Sequence, residues 1–334
     1  MKKILMTGAS GFVGTYLCRL LAEENESILW GVTRHRQPEF ARSHPGVRWL
    51  EGSSCDPSFW RQSLSEVRPD VIYHLGGQPQ VTVSWEDPVG TMNANVMAQT
   101  YMMEMLRELQ QHPAILVVGS SEEYGLVRSE ELPVKEENPL RPLSPYAVSK
   151  VAQDLMAHQY FRSYNFRVVR TRSFNHTGPG RPDSYAVSSF CKQIAFIEAG
   201  LADPVLHVGN LKAQRDYVDV RDMVRAYVLA IQKAEPGEVY NICSGQPRSM
   251  ETVLQNILSY STVSIRIQQD SDRLRPADLP IIYGDPTKFT QRTGWRPHIP
   301  FEQTLQDLLC DWRERVRLMP ANTKIIPREN EAVL

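Results

Sequence analysis

The chain has 334 residues, 42% of them hydrophobic and 22% charged, which is ordinary globular composition and long enough for two domains. A formal net charge of −1 gives no electrostatic reason to expect nucleic acid or a membrane surface as a partner. Five scattered cysteines (Cys18, Cys55, Cys191, Cys243, Cys310), with no CxxC spacing, read as reduced thiols rather than a disulfide frame or a zinc site. The opening MKKILMTG is too short for a signal or membrane segment, so a soluble, cytoplasmic protein is expected.

In chain order, short apolar runs at Ile4 to Met6, Ile28 to Val32, Val47 to Leu50, Val71 to Leu75, Ile115 to Val118 and Val168 to Arg170 read as strands. Between them Phe12 to Ala22, Met92 to Leu109 and Tyr146 to Tyr160 carry apolar residues at helical spacing. This alternation predicts an α/β, Rossmann-type doubly wound parallel sheet. At Asn175 to Ser184 glycine and proline crowd together, which marks a domain boundary. Beyond it helices are expected at Val187 to Glu198, Arg221 to Gln232, Ser249 to Tyr260 and Phe301 to Arg317, and Val239 to Ser244 as a strand returning to the main sheet. The expected division is a dinucleotide-binding domain over 1–174, rejoined by 214–241. A smaller α/β substrate domain takes 175–213 and 242–320, and a poorly ordered tail takes 321–334.

The first strand leads into TGASGFVG and then into a helix, so GxxGxxG stands in the strand, turn, helix context that a dinucleotide site needs. Gly8, Gly11 and Gly14 allow the tight turn and the close approach of backbone to pyrophosphate, with Ser10, Phe12 and Val13 completing the loop. The second strand ends in GVTRHRQ with no carboxylate nearby; Arg34 and Arg36 suit a 2'-phosphate, which favours NADP(H) over NAD(H), although two solvated arginines would look the same. Asp56 is a candidate contact for the adenine end, and Leu75, Gly76 and Gly77 are small enough for the adenosine half to pass.

Two further segments carry reactive groups. In SPYAVSK, Ser144 can cap a helix with Pro145 in its first turn, which sets Tyr146 and Lys150 side by side, four residues apart. A phenol is a weak acid at neutral pH, and an adjacent ammonium brings it towards working range as a general acid and base. In AILVVGSSEEYG, Ser120 falls at the carboxyl end of the fifth strand, where it can hydrogen-bond a substrate carbonyl. Glu122 reads equally as an acid or base, a ligand for substrate hydroxyls, or one half of an exposed acidic pair with Glu123.

The motifs TGASGFVG, SSEEYG, RPLSPYAVSK, RSFNHTGPG, VGNLKAQRDYVDVRD and LRPADLPIIYGDPTK together resemble the extended short-chain dehydrogenase/reductase family, and within it the enzymes of GDP-6-deoxyhexose synthesis. That resemblance implies a nicotinamide enzyme with Ser120, Glu122, Tyr146 and Lys150 at the reacting end. It implies Asn95 among the cofactor contacts, and Asn175, Lys192, Asn210, Arg215, Arg275 and Asp278 around a GDP-linked deoxy sugar. Ser120 where the dehydratase branch generally has threonine, and the loops FNHTGPGRP and RDYVDVRD, point to the branch that reduces a 4-keto sugar, with the 4,6-dehydratase branch as the alternative. The resemblance also implies a homodimer through a four-helix bundle. Met97, Met103, Met105, Val148, Val151 and Leu155 would supply apolar surface beyond what one sheet face needs, and ordinary core packing explains the same residues almost as well.

Overall fold

The structure, a computed structural model, describes residues 1–24, 26–35, 38–270, 273 and 279–319. The chain runs β1 (Lys2–Thr7), α1 (Phe12–Glu23), β2 (Ser27–Thr33), α2 (Pro38–Ser43), β3 (Val47–Glu51), α3 (Pro57–Val67) and β4 (Val71–His74). It continues through α4 (Val81–Glu86), α5 (Pro88–Met92), α6 (Ala98–Glu108), β5 (Ala114–Ser120), α7 (Pro145–Tyr164) and β6 (Arg167–Ser173). After β7 (Asn175–Thr177) come α8 (Ala186–Glu198), β8 (Val205–Val208), β9 (Gln214–Asp219), α9 (Val220–Lys233) and β10 (Val239–Ile242).

Among the described residues a seven-stranded sheet has the order β10-β6-β5-β4-β1-β2-β3, and its neighbours pair in parallel. Strand order reverses between β1 and β4, and in an open parallel sheet that reversal, at the carboxyl ends of the strands, is where ligands bind. Side chains alternate between two cores because a strand has period two. Ile4, Met6 and Leu116 join Leu17 and Leu21 of α1 and Met223 and Tyr227 of α9. Leu5, Ile115 and Val117 join Trp60 and Leu64 of α3, Met102 and Leu106 of α6 and Tyr160 of α7 on the other face. Each such aliphatic side chain contributes about 1.5–3 kcal/mol by burial, so the alternation fixes the register of the strands that carry the site.

Two expectations are corrected here. The helix expected over Met92 to Leu109 is interrupted by a π-helical turn at Asn93–Met97, before α6. There Asn95 is drawn fully inside, its amide nitrogen donating to Ser149 Oγ (2.8 Å) and to the Gln78 carbonyl (3.2 Å), and a widened turn accommodates that inward side chain. Met103 and Met105 are buried in the core rather than spare, whereas Met97, Val148 and Leu155 are exposed.

The chain divides into two units. The first holds 1–176, 216–247 and 281–298, and the second takes 177–215, 248–280 and the chain from 299. The segment expected as one piece of the substrate domain, 242–320, is therefore split. Residues 281–298 belong to the first unit because Phe289 and Trp295 are buried in its core beside Tyr240, with Trp295 Nε1 donating to the Asp222 carbonyl at 3.1 Å. Within the second unit β8 pairs in parallel with the strand Arg266–Gln269, and the helices include α8, Met250–Leu258 and Phe301–Arg317. The tail 321–334 lies outside the described residues, and among those described no helix is long and apolar enough to cross a membrane.

Candidate active site

At the end of β1 the chain turns through Gly8 at φ +67°, where a Cβ would sit 2.9 Å from the Gly76 nitrogen. A Cβ on Gly14 would collide with the Gly8 and Ala9 carbonyls. Only glycine fits either place. The loop is closed by Gly11 N–H donating to the Gly8 carbonyl at 3.0 Å, and no side chain caps the N-terminus of α1, so its first amides and the helix dipole are presented as a cradle for phosphate. Ser10 and Val13 are half-buried in that loop, and Phe12 stacks on His176 with ring centroids 6.3 Å apart.

Neutral hydrogen bonds fix this end of the sheet. Thr7 Oγ1 accepts from Gly76 N–H at 2.8 Å and lies 3.0 Å from His74 Nδ1. His74 Nε2 is 3.4 Å from Gln153 Nε2, which donates to Gln99 Oε1 at 2.9 Å. Burial pushes His74 down to about 3, and the Lys150 cation adds to this, so the imidazole is neutral.

Several expected cofactor residues make bonds within the fold. Asn95 accepts from Gln78 N–H at 2.7 Å, so it braces from inside the loop that follows Leu75, Gly76 and Gly77. Asp56 caps α3, accepting from the Ser58 amide at 2.8 Å and from its hydroxyl, and the hydroxyl bond holds its carboxyl below the usual range. Arg34 is exposed just after β2, and Arg36 lies outside the described residues.

The reacting groups assemble where β5 ends. Ser120 caps a single 3-10 turn over Ser121–Tyr124: its Oγ accepts from Glu122 N–H at 3.2 Å while Glu123 Oε1 accepts from Ser120 N–H at 2.7 Å. Helix α7 begins as its sequence demands, with Ser144 Oγ accepting from Ala147 N–H at 3.1 Å and proline in the first turn. It delivers Tyr146 and Lys150 to the same strand end. Lys150 Nζ donates to the Val118 carbonyl at 3.0 Å and lies 6.0 Å from the centre of the Tyr146 ring. Burial pulls Lys150 down to about 8, and the Glu123 carboxylate opposes that fall.

Glu122 is half-buried beside Ser120. The reading of Glu122 and Glu123 as an exposed acidic pair is overturned by Glu123, which is fully buried. Sequence reasoning also passed over Asp154, Arg170 and Arg172, which form an ionic block with it: Arg172 reaches Glu123 at 3.2 Å and Asp154 at 2.7 Å, and Arg170 reaches Asp154 at 2.6 Å. The signal was there in RVVRTRS, since two arginines at period two inside a strand covered on both faces require buried counter-charges.

Of the residues expected around the sugar nucleotide, Asn175 is half-buried on β7 in the first unit. In the second unit Lys192 pairs with Asp183 at 2.6 Å, and Asn210 Oδ1 accepts from Lys212 N–H at 3.0 Å. The buried Arg215 donates to the carbonyls of Gln214 (2.8 Å) and Leu279 (2.7 Å). Arg275 and Asp278 lie outside the described residues.

The family model for GDP-mannose 4,6 dehydratase matches residues 5–308. The chain belongs to that family, within the extended short-chain dehydrogenases/reductases. It is 32% identical over 316 residues to a GDP-6-deoxy-D-mannose reductase of Pseudomonas aeruginosa, covering 95% of this chain and 99% of that protein. It is 28% identical over 353 residues to a GDP-mannose 4,6-dehydratase of Yersinia enterocolitica, covering 93% of each. Among solved structures, RMD from Pseudomonas aeruginosa complexed with NADPH superposes with a TM-score of 0.82 at 31% identity, covering 94% of this chain and all of that one. The nicotinamide-dependent enzyme class and the parallel-sheet fold expected from the sequence both hold.

Proposed function

We propose that this family member is a cytoplasmic enzyme that reduces the C4 ketone of GDP-4-keto-6-deoxy-D-mannose to the alcohol, giving GDP-D-rhamnose. The observation that carries the reading is the meeting of Ser120, Tyr146 and Lys150 at the carboxyl end of β5, the groups that a ketone reduction needs. The choice of sugar rests on the reductase from Pseudomonas aeruginosa.

The glycine cradle and the uncapped N-terminus of α1 fit a dinucleotide pyrophosphate, and Arg34, exposed after β2, suits the 2'-phosphate that distinguishes NADPH. When bound, that cofactor would supply the hydride for the ketone carbon. Tyr146 gives its phenolic proton to the ketone oxygen, so that hydride and proton together convert C=O to CH–OH. Ser120 keeps its hydroxyl hydrogen available, because its Oγ accepts rather than donates in the capping turn, and polarises the carbonyl. The Lys150 cation favours the phenolate that remains and can hydrogen-bond the nicotinamide ribose. Asn175, Lys192, Asn210, Arg215, Arg275 and Asp278 are assigned to the GDP portion, the arginines suiting its diphosphate.

A second reading, 4,6-dehydration of GDP-mannose with Glu122 assisting loss of water, is favoured by the matched family model and by the half-buried carboxylate next to Ser120. One assay separates the two: GDP-mannose and its 4-keto-6-deoxy derivative, each with and without NADPH. Reduction predicts NADPH oxidation with the keto sugar alone, and consumption of GDP-mannose without added NADPH would establish the dehydratase.

The working form is a homodimer. The stripe Val148, Val151, Ala152 and Leu155 on α7 recurs at three- and four-residue spacing on its outer side, with Val148 45% and Leu155 53% exposed, and a second copy of the same helices would cover it. Sedimentation at micromolar concentration should show a dimer for the natural chain and a monomer for L155E.

A further inference from the structure

Two neighbouring residues of the helix Phe301–Arg317 bond to the loop that leads into α8, and neither has a part in the reaction proposed. The helix, the loop and α8 all lie in the second unit. The helix packs on α8, with Leu305, Leu308, Leu309, Trp312 and Val316 buried at three- and four-residue spacing. Apolar packing needs no polar group on that face, yet Asp311 Oδ2 accepts the Gly180 N–H at 2.9 Å and Trp312 Nε1 donates to Ser188 Oγ at 2.9 Å. The Ser188 hydroxyl passes the link on, donating to the Arg181 carbonyl at 2.7 Å. Arg315 pairs with Asp311 at 2.8 Å and steadies the carboxylate. Consecutive loop residues, Gly180 and Arg181, are thus held by consecutive residues of the helix. Gly180 stands at φ +87°; glycine reaches that region about as readily as any other, so the bond from Asp311 is what selects it. The same loop carries Asp183, which pairs with Lys192 Nζ at 2.6 Å, and the ammonium lies 5.8 Å from the ring centres of both Phe196 and Trp312. Trp312 therefore acts twice: its N–H holds the loop, and its ring flanks the lysine head that the loop also meets.

We propose that Asp311, with Trp312, is a positioning residue of the nucleotide site: it fixes the loop 178–185 and, through Asp183, the Lys192 ammonium that meets the GDP diphosphate. The assignment rests on the reading of Lys192 as part of the GDP site. A lysine head is a point charge on a flexible stem, and it contributes most where its neighbours hold it in one place. An ammonium has three N–H donors, so the bond to Asp183 leaves two for phosphate oxygens. A side chain and loop already ordered by the helix add no ordering cost to binding.

The test uses the full chain with D311A, D311N and K192M, and GDP as the probe in calorimetry. D311A should raise the Kd of GDP by about tenfold, the loss expected of one hydrogen bond to a charged acceptor, and KM for the keto sugar should rise with it. Its kcat and its Kd for NADPH should stay within about twofold, because neither depends on this loop. D311N still offers an oxygen to the Gly180 N–H and should bind GDP within about threefold of the natural chain. Without any ligand, the Gly180 amide of D311A should exchange for deuterium at least about tenfold faster. K192M should weaken GDP by at least as much as D311A, and adding D311A to it should change little more. GDP bound equally by D311A and the natural chain would overturn the assignment, as would D311N as weak as D311A, a loss that NADPH shares, or additive losses in the double variant. Should K192M bind GDP as tightly as the natural chain, the reading of Lys192 fails and the assignment with it. Should K192M be weak while D311A is not, that reading stands and the assignment alone fails.

Discussion

At the carboxyl ends of β1 and β4 the buried polar side chains are neutral: Thr7, His74, Gln153 and Gln99 join one another and the Gly76 amide in a single run of hydrogen bonds. One strand away, at the end of β5, the buried side chains are ionisable and paired: Arg172 meets Glu123 and Asp154, Arg170 meets Asp154, and Lys150 is buried at the same strand end. The first end has only to hold backbone, since a glycine loop binds phosphate through its own amides and a helix dipole. On the proposed reading the second has to set the protonation of a phenol and an ammonium, which burial and nearby charges do together. A charged block of this kind adds little to stability as a whole, yet breaking it leaves a buried charge uncompensated.

Substitutions at the two ends should therefore fail in different ways. The largest effect is expected from Y146F, which removes the proton donor; kcat should fall by up to about 10⁴-fold, or about 5 kcal/mol, with KM little changed, as read by NADPH oxidation. Next, R172M takes from Glu123 its guanidinium partner and leaves Asp154 with Arg170 alone, and should cost about 3–5 kcal/mol of stability in urea unfolding. A loss no greater than that of Q99L, a neutral change in the other region, would break the comparison. In the glycine loop, G8A forces a left-handed residue into roughly 1–3 kcal/mol of strain and pushes a methyl against Gly76. Its expected signature is loss of NADPH affinity by tenfold or more in a fluorescence titration, with no shift of any pH limb.

The smallest effect sharpens the contrast through pH. His74 is held down to about 3 in the fold against 6.5 in the open chain, so below pH 6.5 the unfolded state binds the extra proton. Its contribution is complete above 6.5 and is lost as pH falls towards 3. At pH 5 this amounts to about 2 kcal/mol, and H74N should lose that much less between pH 7 and 5 in denaturant titrations at each pH.

What the sequence revealed follows the same division. Strands and helices of the first unit were legible because alternating cores impose period-two and helical patterns, and Ser144 and Pro145 marked the start of the helix that carries Tyr146 and Lys150. Gly8 and Gly14 were legible because glycine alone fits there. Glu123 was not, since an acid pair after a strand looks exposed, and only the arginines of β6, distant in sequence, show that one of the pair is drawn inside. The structural bonds of Asn95 and Asp56 were not legible, because both residue types serve ligands and backbone equally well. The split of 242–320 was hidden because Phe289 and Trp295 look like core anywhere and nothing local says whose core they join.

The central claim, hydride added from outside to a sugar C4 with Tyr146 as the acid, is tested most directly with NADPH deuterated at the transferring position. Incubated with GDP-4-keto-6-deoxy-D-mannose, the enzyme should yield a product carrying one deuterium at C4 by NMR, and Y146F should yield almost none at equal times. A product free of deuterium, or GDP-mannose losing water with no added cofactor consumed, would contradict it.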